Sequence, residues 1–254
     1  MAWSILNITQ KLARQRQIPR CCQRALSVAS PAGASEPAKI RIISEEDDNF
    51  QTTPAGILPV TQELDILNSI DESEGRAAFR LMDLKGNPIE GAVLPELDRE
   101  TATKWYQHMV KIQVLDDVLY NVQRQGRISF YMQSSGEEAT HIGSATALKD
   151  EDVVFTQYRE VGVLLWRNFS IQQICDQCFS NSEDLGKGRQ MPVHYGSRAL
   201  NFQTISSPLA TQLPQAVGAA IALKRDKKDA ISICYFGEGA ASEGDFHAAM
   251  NFAA

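Results

Sequence analysis

The chain has 254 residues, of which 43% are hydrophobic and 22% charged, and its formal net charge is −6. That length leaves room for one large domain or two small ones, and no apolar run approaches the ~18 residues of a membrane-spanning helix, so we expect no membrane insertion. Residues 36–254 hold 20 basic against 31 acidic side chains, and this negative balance argues against a nucleic acid partner.

Residues 1–35 differ in composition from the rest of the chain. They contain five basic residues, no acid, several Gln and Ser residues, and spaced Leu and Ile. This composition is typical of a mitochondrial presequence, an amphipathic segment that is removed after import. It predicts that the protein resides in the mitochondrial matrix. The alternative interpretation is a disordered basic tail.

Residues 36–97 are irregular in pattern. They hold an acidic cluster, EEDD at 45–48, several prolines, and the turn sequence LKGNPIEG flanked by extended patterns. We expect an extended arm across this range. Because such an arm has no core of its own, we expect it to pack on a partner.

Regular structure is predicted from residue 98 onward. Apolar residues recur at intervals of three and four through DRETATKWYQHMVKIQVLDDVLYNVQRQGR, which predicts one long helix. Asp98 can cap the start of this helix, and Gly126 can end it. A second helix is predicted in SSGEEATHIGSATAL, where Ser135 and Glu138 have the spacing of a capping box.

Strand and helix patterns alternate in the rest of the chain. DVVFTQ and ISICYFG are predicted strands, and REVGVLLWRNF and PQAVGAAIALKR are predicted helices. A final helix is predicted after a second capping box, Ser242 and Asp245. This alternation predicts an α/β fold with a parallel sheet covered by helices on both faces. We therefore expect residues 98–254 to form one α/β domain.

Cys175 and Cys178 form a lone C-x-x-C in a helix-like stretch. A zinc site needs further ligands at suitable spacing, and the sequence offers none nearby. We expect these residues to be ordinary packed cysteines of a reducing compartment.

The turn Gly237-Glu238-Gly239 lies between a predicted strand and a predicted helix. Ligands of parallel α/β sheets bind beyond the carboxyl ends of the strands, and the first amides of a helix attract phosphate groups. A glutamate beside a phosphate needs a cation between them, and Mg²⁺ prefers oxygen ligands. The tripeptide alone is weak evidence, because a surface turn with a solvated glutamate has the same sequence. Arg159 and the turn TISSPLATQLPQA can converge with it on a diphosphate.

Long stretches of the chain resemble the alpha subunits of mitochondrial branched-chain 2-oxo acid dehydrogenases. The resemblance runs from about residue 79 to residue 254 and includes QRQGRISFYM, GEEATHIGSA, QYREVGVL, DLGKGRQMPVHYG, TISSPLATQLPQAVGAA and CYFGEGAASEGD. It implies a doubly wound parallel sheet that binds thiamine diphosphate. It also implies a sheet that is incomplete at the C-terminus, because family residues of the metal site, a second diphosphate arginine and a loop histidine would lie beyond residue 254.

The resemblance implies roles for individual residues. Contacts to the cofactor would come from Tyr158, Arg159, Ser207, Gly239 and Ala240, with Gln157 close by and Leu209 bracing the bent cofactor. Glu238 would bind Mg²⁺. A K⁺ site would be formed by Ser206, Pro208, Thr211 and Gln212. The alternatives are an ion-paired surface role for Arg159 and helix capping by Ser206 and Thr211. No catalytic residue is assigned, since neither His194 nor His247 matches the family's loop histidine.

The implied function is oxidative decarboxylation of branched-chain 2-oxo acids with transfer of the acyl group to a lipoyl carrier. The implied partners are a beta subunit, in an α2β2 heterotetramer, and a lipoyl-bearing acyltransferase. We expect this chain to be inactive and to bind the cofactor weakly by itself. One alternative is the alpha subunit of a pyruvate or acetoin dehydrogenase, which Glu238 and GKGRQMP disfavour. The other is a non-catalytic short isoform that binds the beta subunit.

Overall fold

The computed structural model describes residues 50–53, 56–63, 77–83 and 85–254. The predicted presequence, residues 1–35, lies outside the described residues. The chain divides into two units, Met1–Pro95 and Glu96–Ala254. None of the described helices combines the length and the apolar character that a membrane span requires.

The first unit contains three paired strands in its described part. Strand β1 (Phe50–Thr53) pairs antiparallel with β2 (Gly56–Thr61), and β2 pairs parallel with β3 (Ala78–Phe79). The predicted turn is present after β3 at residues 85–88, where the Asp83 carboxylate accepts the amide protons of Lys85 and Asn87. The role of residues 36–97 as a partner-binding arm stays a prediction.

The second unit begins with a long helix, α1 (Arg99–Arg124), as predicted. The Asp98 carboxylate caps it by accepting from the amide of Thr101 at 2.9 Å. Gly126 follows the helix with a φ of +72°, a left-handed conformation that glycine adopts without steric cost. Both predicted ends of the helix are therefore confirmed.

Helices and two strands alternate in the remainder of the second unit. In chain order these are α2 (Glu138–Thr146), β4 (Val153–Phe155), α3 (Val161–Trp166), α4 (Ile171–Cys178), a 3-10 turn (Arg198–Leu200), α5 (Gln212–Arg225), β5 (Ser232–Cys234), α6 (Glu238–Ala241) and α7 (Gly244–Ala253). Strands β4 and β5 are parallel, with Val153 opposite Ser232 and Phe155 opposite Cys234. Mixed α/β structure and parallel pairing are thus confirmed.

Two groups of buried apolar side chains hold the second unit together. The larger group packs α1, α2, α3 and α4 around residues such as Ile112, Ile142 and Leu164, which are fully buried. The smaller group joins α5, α6 and α7 through Ala210, Leu213, Ala240 and Ala249. Ala240 belongs both to this second core and to the helix that follows β5, so the core anchors that helix.

Both predicted capping boxes are wrong. Helix α2 starts later than expected, with Glu137 at its N-cap and no side-chain cap. The Glu138 carboxylate instead accepts the amide of Gly136 at 2.9 Å. Helix α7 begins after Glu243 and also has no side-chain cap, because Ser242 ends the preceding helix α6.

A capping box that the sequence analysis missed starts helix α4. The Ser170 hydroxyl accepts the amide of Gln173, and the Gln173 side chain accepts the amide of Ser170. Ser170→Ala is expected to lower the free energy of unfolding by about 1 kcal/mol, as losses of an N-cap do. Urea denaturation measures this value. Ser242→Ala is the control: it should change stability by less than about 0.5 kcal/mol, and an equal loss there would contradict the cap assignment.

Candidate active site

A cavity of about 400 Å³ lies beyond the carboxyl ends of β4 and β5. The two strands are parallel neighbours, so the segments that follow them meet at one edge of the sheet. The cavity is lined by Glu137, Gln157, Tyr158, Arg159, Glu160, Leu209, Phe236, Gly237, Gly239 and Ala240. Four of the five residues predicted to contact a cofactor therefore surround one space: Tyr158, Arg159, Gly239 and Ala240.

A wider opening of about 600 Å³ lies at the opposite ends of these strands, between Val153 and Ala230. Among the residues that line this opening, Lys149 and Asp229 form an exposed ion pair at 3.0 Å. Ligands of parallel α/β sheets bind at the carboxyl ends of the strands. The smaller cavity is therefore the candidate site, despite its lower volume.

Arg159 is held from two sides by the loop that precedes α2. Its Nη1 donates to the carbonyl of Gln133 at 2.7 Å, and its own carbonyl accepts from the Ser134 hydroxyl at 2.7 Å. The guanidinium also lies over the Tyr158 ring, 5.8 Å from the ring centre. A guanidinium carries five N–H donors, so most of them stay available to an anion in the cavity. Arg159 makes no side-chain ion pair within residues 85–254, so the surface ion-pair interpretation is wrong.

Glu160 forms an acidic wall of the same cavity, and the sequence analysis did not single it out. Its Oε2 accepts the amide of Gln157 at 3.0 Å. Burial raises the pKa of Glu160, and its backbone hydrogen bonds oppose that rise. A half-buried carboxyl group and an arginine therefore line the same cavity, which places one acidic and one basic side chain on its wall.

The turn after β5 brings the main chain close to the cavity. Gly237 precedes α6, and Gly239 and Ala240 lie in its first turn. A Cβ added at Gly239 would lie 3.7 Å from Leu209 Cδ1, so Leu209 projects toward this turn. Leu209 is 41% exposed, an apolar side chain left open on the wall of the cavity.

Glu238 and Ser207 are not part of the cavity lining. Glu238 is exposed at the first position of α6. The Ser207 hydroxyl lies 2.7 Å from Nε2 of the buried His194, whose Nδ1 lies 3.0 Å from the carbonyl of Pro192. A carbonyl only accepts hydrogen bonds, so in the neutral ring Nδ1 carries the proton and Nε2 accepts from Ser207.

The four residues predicted to bind K⁺ cluster at the start of α5. The Thr211 hydroxyl donates to Ser206 Oγ at 2.9 Å and lies 3.3 Å from the carbonyl of Pro208. Thr211 stands at the N-cap of α5 without capping it through its side chain, so the capping interpretation of Thr211 is wrong. Gln212 is buried, and its Oε1 has no hydrogen-bond partner.

Gln212 links this cluster to the two strand ends. Its Nε2 donates to Gln157 Oε1 at 2.7 Å and to the carbonyl of Tyr235 at 3.2 Å. Within the described part of the chain, no group of three His, Cys, Asp or Glu side chains is arranged to hold a metal ion. A cation held by these residues would therefore have at most two such side chains as ligands and would need hydroxyl, amide, carbonyl or ligand oxygens to complete its coordination.

Comparison with known proteins gives consistent matches. The family model of the "Dehydrogenase E1 component" matches residues 106–254. The mitochondrial 2-oxoisovalerate dehydrogenase subunit alpha of Bos taurus is 57% identical over 180 residues, which cover 71% of this chain and 40% of that protein. Subunit alpha 2 of Arabidopsis thaliana is 52% identical over 201 residues, or 79% of this chain and 42% of that protein.

The mitochondrial 2-oxoisovalerate dehydrogenase subunit alpha of Dictyostelium discoideum is 46% identical over 253 residues, or 97% of this chain and 53% of that protein. The chain thus spans about half the length of the curated relatives it matches. The family match covers more than half of the chain and includes every residue that lines the candidate site. The chain belongs to the dehydrogenase E1 component family.

Proposed function

We propose that this chain is part of the alpha subunit of a mitochondrial branched-chain 2-oxo acid dehydrogenase. The proposed fold is the doubly wound, thiamine-diphosphate-binding sheet. The proposed assembly is an α2β2 heterotetramer with a beta subunit, which passes acyl groups to a lipoyl-bearing acyltransferase in the mitochondrial matrix. The observation that carries the proposal is the convergence of Arg159 and the Gly239–Ala240 turn on one cavity. The names of the relatives support the same assignment.

The residues of the cavity fit a diphosphate. Arg159 offers guanidinium donors, which bind phosphate oxygens with charge-assisted hydrogen bonds. The amides of Gly239 and Ala240 lie in the first turn of α6, where amides have no acceptor within the helix. Leu209, Phe236 and Tyr158 supply apolar surface for the rings of the cofactor. Bound thiamine diphosphate would supply the electron sink that decarboxylation of a 2-oxo acid requires.

The cations of the proposed site fit the oxygen atoms that the chain provides. Mg²⁺ commonly uses one or two carboxylates together with phosphate oxygens and water, and the exposed Glu238 stands next to the proposed diphosphate amides. Gln212 Oε1 is a buried acceptor without a donor, which a cation would satisfy. The neighbouring oxygens of Ser206, Pro208 and Thr211 would complete the proposed K⁺ site.

Branched-chain 2-oxo acids are favoured over pyruvate as the substrates. The stretch GKGRQMP and the glutamate of the Gly-Glu-Gly turn have the form of the branched-chain members. The three relatives named above are 2-oxoisovalerate dehydrogenase subunits. The natural assembly should therefore decarboxylate 2-oxoisovalerate faster than pyruvate.

Arg159→Met tests the cofactor site directly. The variant should bind Mg²⁺–thiamine diphosphate about ten- to a hundredfold more weakly than the wild type, since a charge-assisted hydrogen bond contributes about 1.5–3 kcal/mol. Titration calorimetry on the protein in its natural assembly gives the Kd. Arg225→Met is the matched control, because Arg225 ends α5, about 20 Å along that helix from the site. Unchanged affinity in Arg159→Met, or an equal loss in the control, would contradict the proposed site.

A further inference from the structure

Asp116 is a carboxylate on the core face of α1. It is 1% exposed and lies among the apolar side chains of Ile112, Leu115 and Leu119. A buried carboxylate is costly unless hydrogen bonds compensate for the lost hydration. An apolar side chain at this position would fill the core without that cost, so the carboxylate requires a separate explanation.

The partners of Asp116 lie in the loop between α1 and α2. Its Oδ1 accepts from the Tyr131 hydroxyl at 2.8 Å, and its Oδ2 accepts the amide of Ser134 at 2.5 Å. Both partners are themselves buried. Burial raises the pKa of Asp116, and the hydrogen bonds from Ser134 and Tyr131 oppose that rise. The carboxyl group therefore fixes residues 131–134 at two points on α1.

The same loop holds Arg159 at two points. The Ser134 hydroxyl donates to the carbonyl of Arg159, and the carbonyl of Gln133 accepts from its guanidinium, both at 2.7 Å. One contact fixes the main chain of Arg159, and the other fixes the end of its side chain. A flexible arginine loses rotamer entropy when it binds an anion, and a side chain that is already held in place loses less on binding.

We propose that Asp116 is a positioning residue for the diphosphate site, acting through residues 131–134 to hold Arg159 toward the cavity. This inference rests on the proposed function, in which Arg159 binds the cofactor diphosphate. Asp116 itself does not line the cavity, so it acts on the ligand only through the loop. The hydrogen bonds between Asp116 and the loop would therefore hold Arg159 in place before the cofactor binds, although Asp116 does not contact the cofactor.

The proposal predicts a specific order of affinities for Mg²⁺–thiamine diphosphate. Asp116→Ala removes both hydrogen bonds to the loop and should raise the Kd about tenfold. Asp116→Asn should remain close to the wild type, since the amide oxygen can accept from Ser134 while the amide nitrogen donates to the Tyr131 oxygen. Titration calorimetry of the natural assembly measures each Kd, together with urea denaturation of the same samples.

Asp152→Ala is the matched control for loss of a buried carboxylate. Asp152 is buried and accepts the amides of Lys149 and Ile231 at 2.7 and 2.8 Å, at the opposite ends of the strands from the cavity. This variant should lose stability but keep its Kd under conditions in which it stays folded. An equal rise in Kd in Asp152→Ala would show that general destabilisation explains the result, and it would overturn the proposal.

A double-mutant cycle separates this inference from the proposed function. If Asp116 acts through Arg159, Asp116→Ala combined with Arg159→Met should bind no more weakly than Arg159→Met alone. Additive losses would overturn the positioning role. Wild-type affinity in Asp116→Ala together with weak binding in Arg159→Met would also reject the role of Asp116, while leaving the proposed cofactor site intact. Wild-type affinity in Arg159→Met would reject the proposed site itself.

Discussion

Gly162→Ala is expected to lower the free energy of unfolding by about 3 kcal/mol, toward the upper end of losses from overpacking. Gly162 lies in the first turn of α3, where an added Cβ would lie 2.6 Å from Ile112 Cδ1 and 2.7 Å from His141 Cβ. The His141 Cβ is bonded to the main chain of α2 and cannot rotate away, and Ile112 is fully buried. Helices α1, α2 and α3 would have to move apart.

The substitution also raises helix propensity, which stabilises the fold, but this gain is smaller than the loss from overpacking. Alanine favours a helix over glycine by at most about 1 kcal/mol, and a position in the first turn gains less than a central one. Gly143→Ala isolates that effect, because Gly143 lies in α2 and an added Cβ would have no atom within 4 Å apart from its chain neighbours and its own helix backbone. Urea denaturation should show a loss in Gly162→Ala and a slight gain in Gly143→Ala. Similar stabilities for the two variants would mean that α2 and α3 do not pack as closely as described.

The meeting of Arg159 with the Gly-Glu-Gly turn could be predicted from the sequence. Each lies after a predicted strand, and alternation with helices implies that these strands are parallel, so their carboxyl ends share one edge. This inference needs only local patterns and one general rule of topology. The strand pairing of Val153–Phe155 with Ser232–Cys234 confirms it.

The sequence predicted the presence of α2 and α7 correctly but not the residues at which they begin. Ser135 and Ser242 each stand three residues before an acid, but such spacing does not determine where the first helical turn forms. Gly136 has a φ of +88°, so a turn follows Ser135 and delays α2. Ser242 is already the end of α6. Tertiary packing selects the start of a helix among several residues with similar local preference.

Two acids with roles at or near the candidate site, Asp116 and Glu160, were not predicted, and the reasons differ. Position 116 lies four residues after Ile112 and three before Leu119, so helix periodicity alone places it on the core face. An acidic side chain is rarely fully buried, so the residue type argues against that placement. Glu160 offers no periodicity signal, because its partial burial depends on a cavity wall formed by segments far apart in the sequence.

Arg167 is another residue whose burial cannot be predicted from local sequence patterns. It follows the apolar residues of α3, where a basic side chain is typical of an exposed helix end. The structure instead leaves it 5% exposed. Its partners are main-chain carbonyls that come together only in the fold: those of Lys149, Asp152 and Leu200. This arginine therefore connects the end of α3 with the start of β4 and with the 3-10 turn.

Arg167→Met is expected to lower the free energy of unfolding by about 3 kcal/mol. Nη1 donates to Asp152 O at 2.8 Å and to Leu200 O at 2.7 Å, and Nη2 donates to Lys149 O at 2.8 Å. Each hydrogen bond from a charged group contributes about 1.5–3 kcal/mol. The net loss of stability is smaller than the sum of the three hydrogen bonds, because burial of the charged guanidinium is itself unfavourable, as the lowered pKa of Arg167 indicates. Methionine removes this desolvation cost and fills similar space.

Two further variants separate geometry from charge. Arg167→Lys keeps the charge, but a single ammonium lacks the planar fork that reaches three carbonyls, so it should retain only part of the lost stability. Arg198→Met removes an exposed arginine from the 3-10 turn and should change stability by less than about 0.5 kcal/mol. Urea denaturation of the three variants should give the order Arg167→Met, Arg167→Lys, Arg198→Met from least to most stable. If Arg167→Lys were as stable as the wild type, charge alone would explain the effect, because the ammonium cannot replace three directed hydrogen bonds.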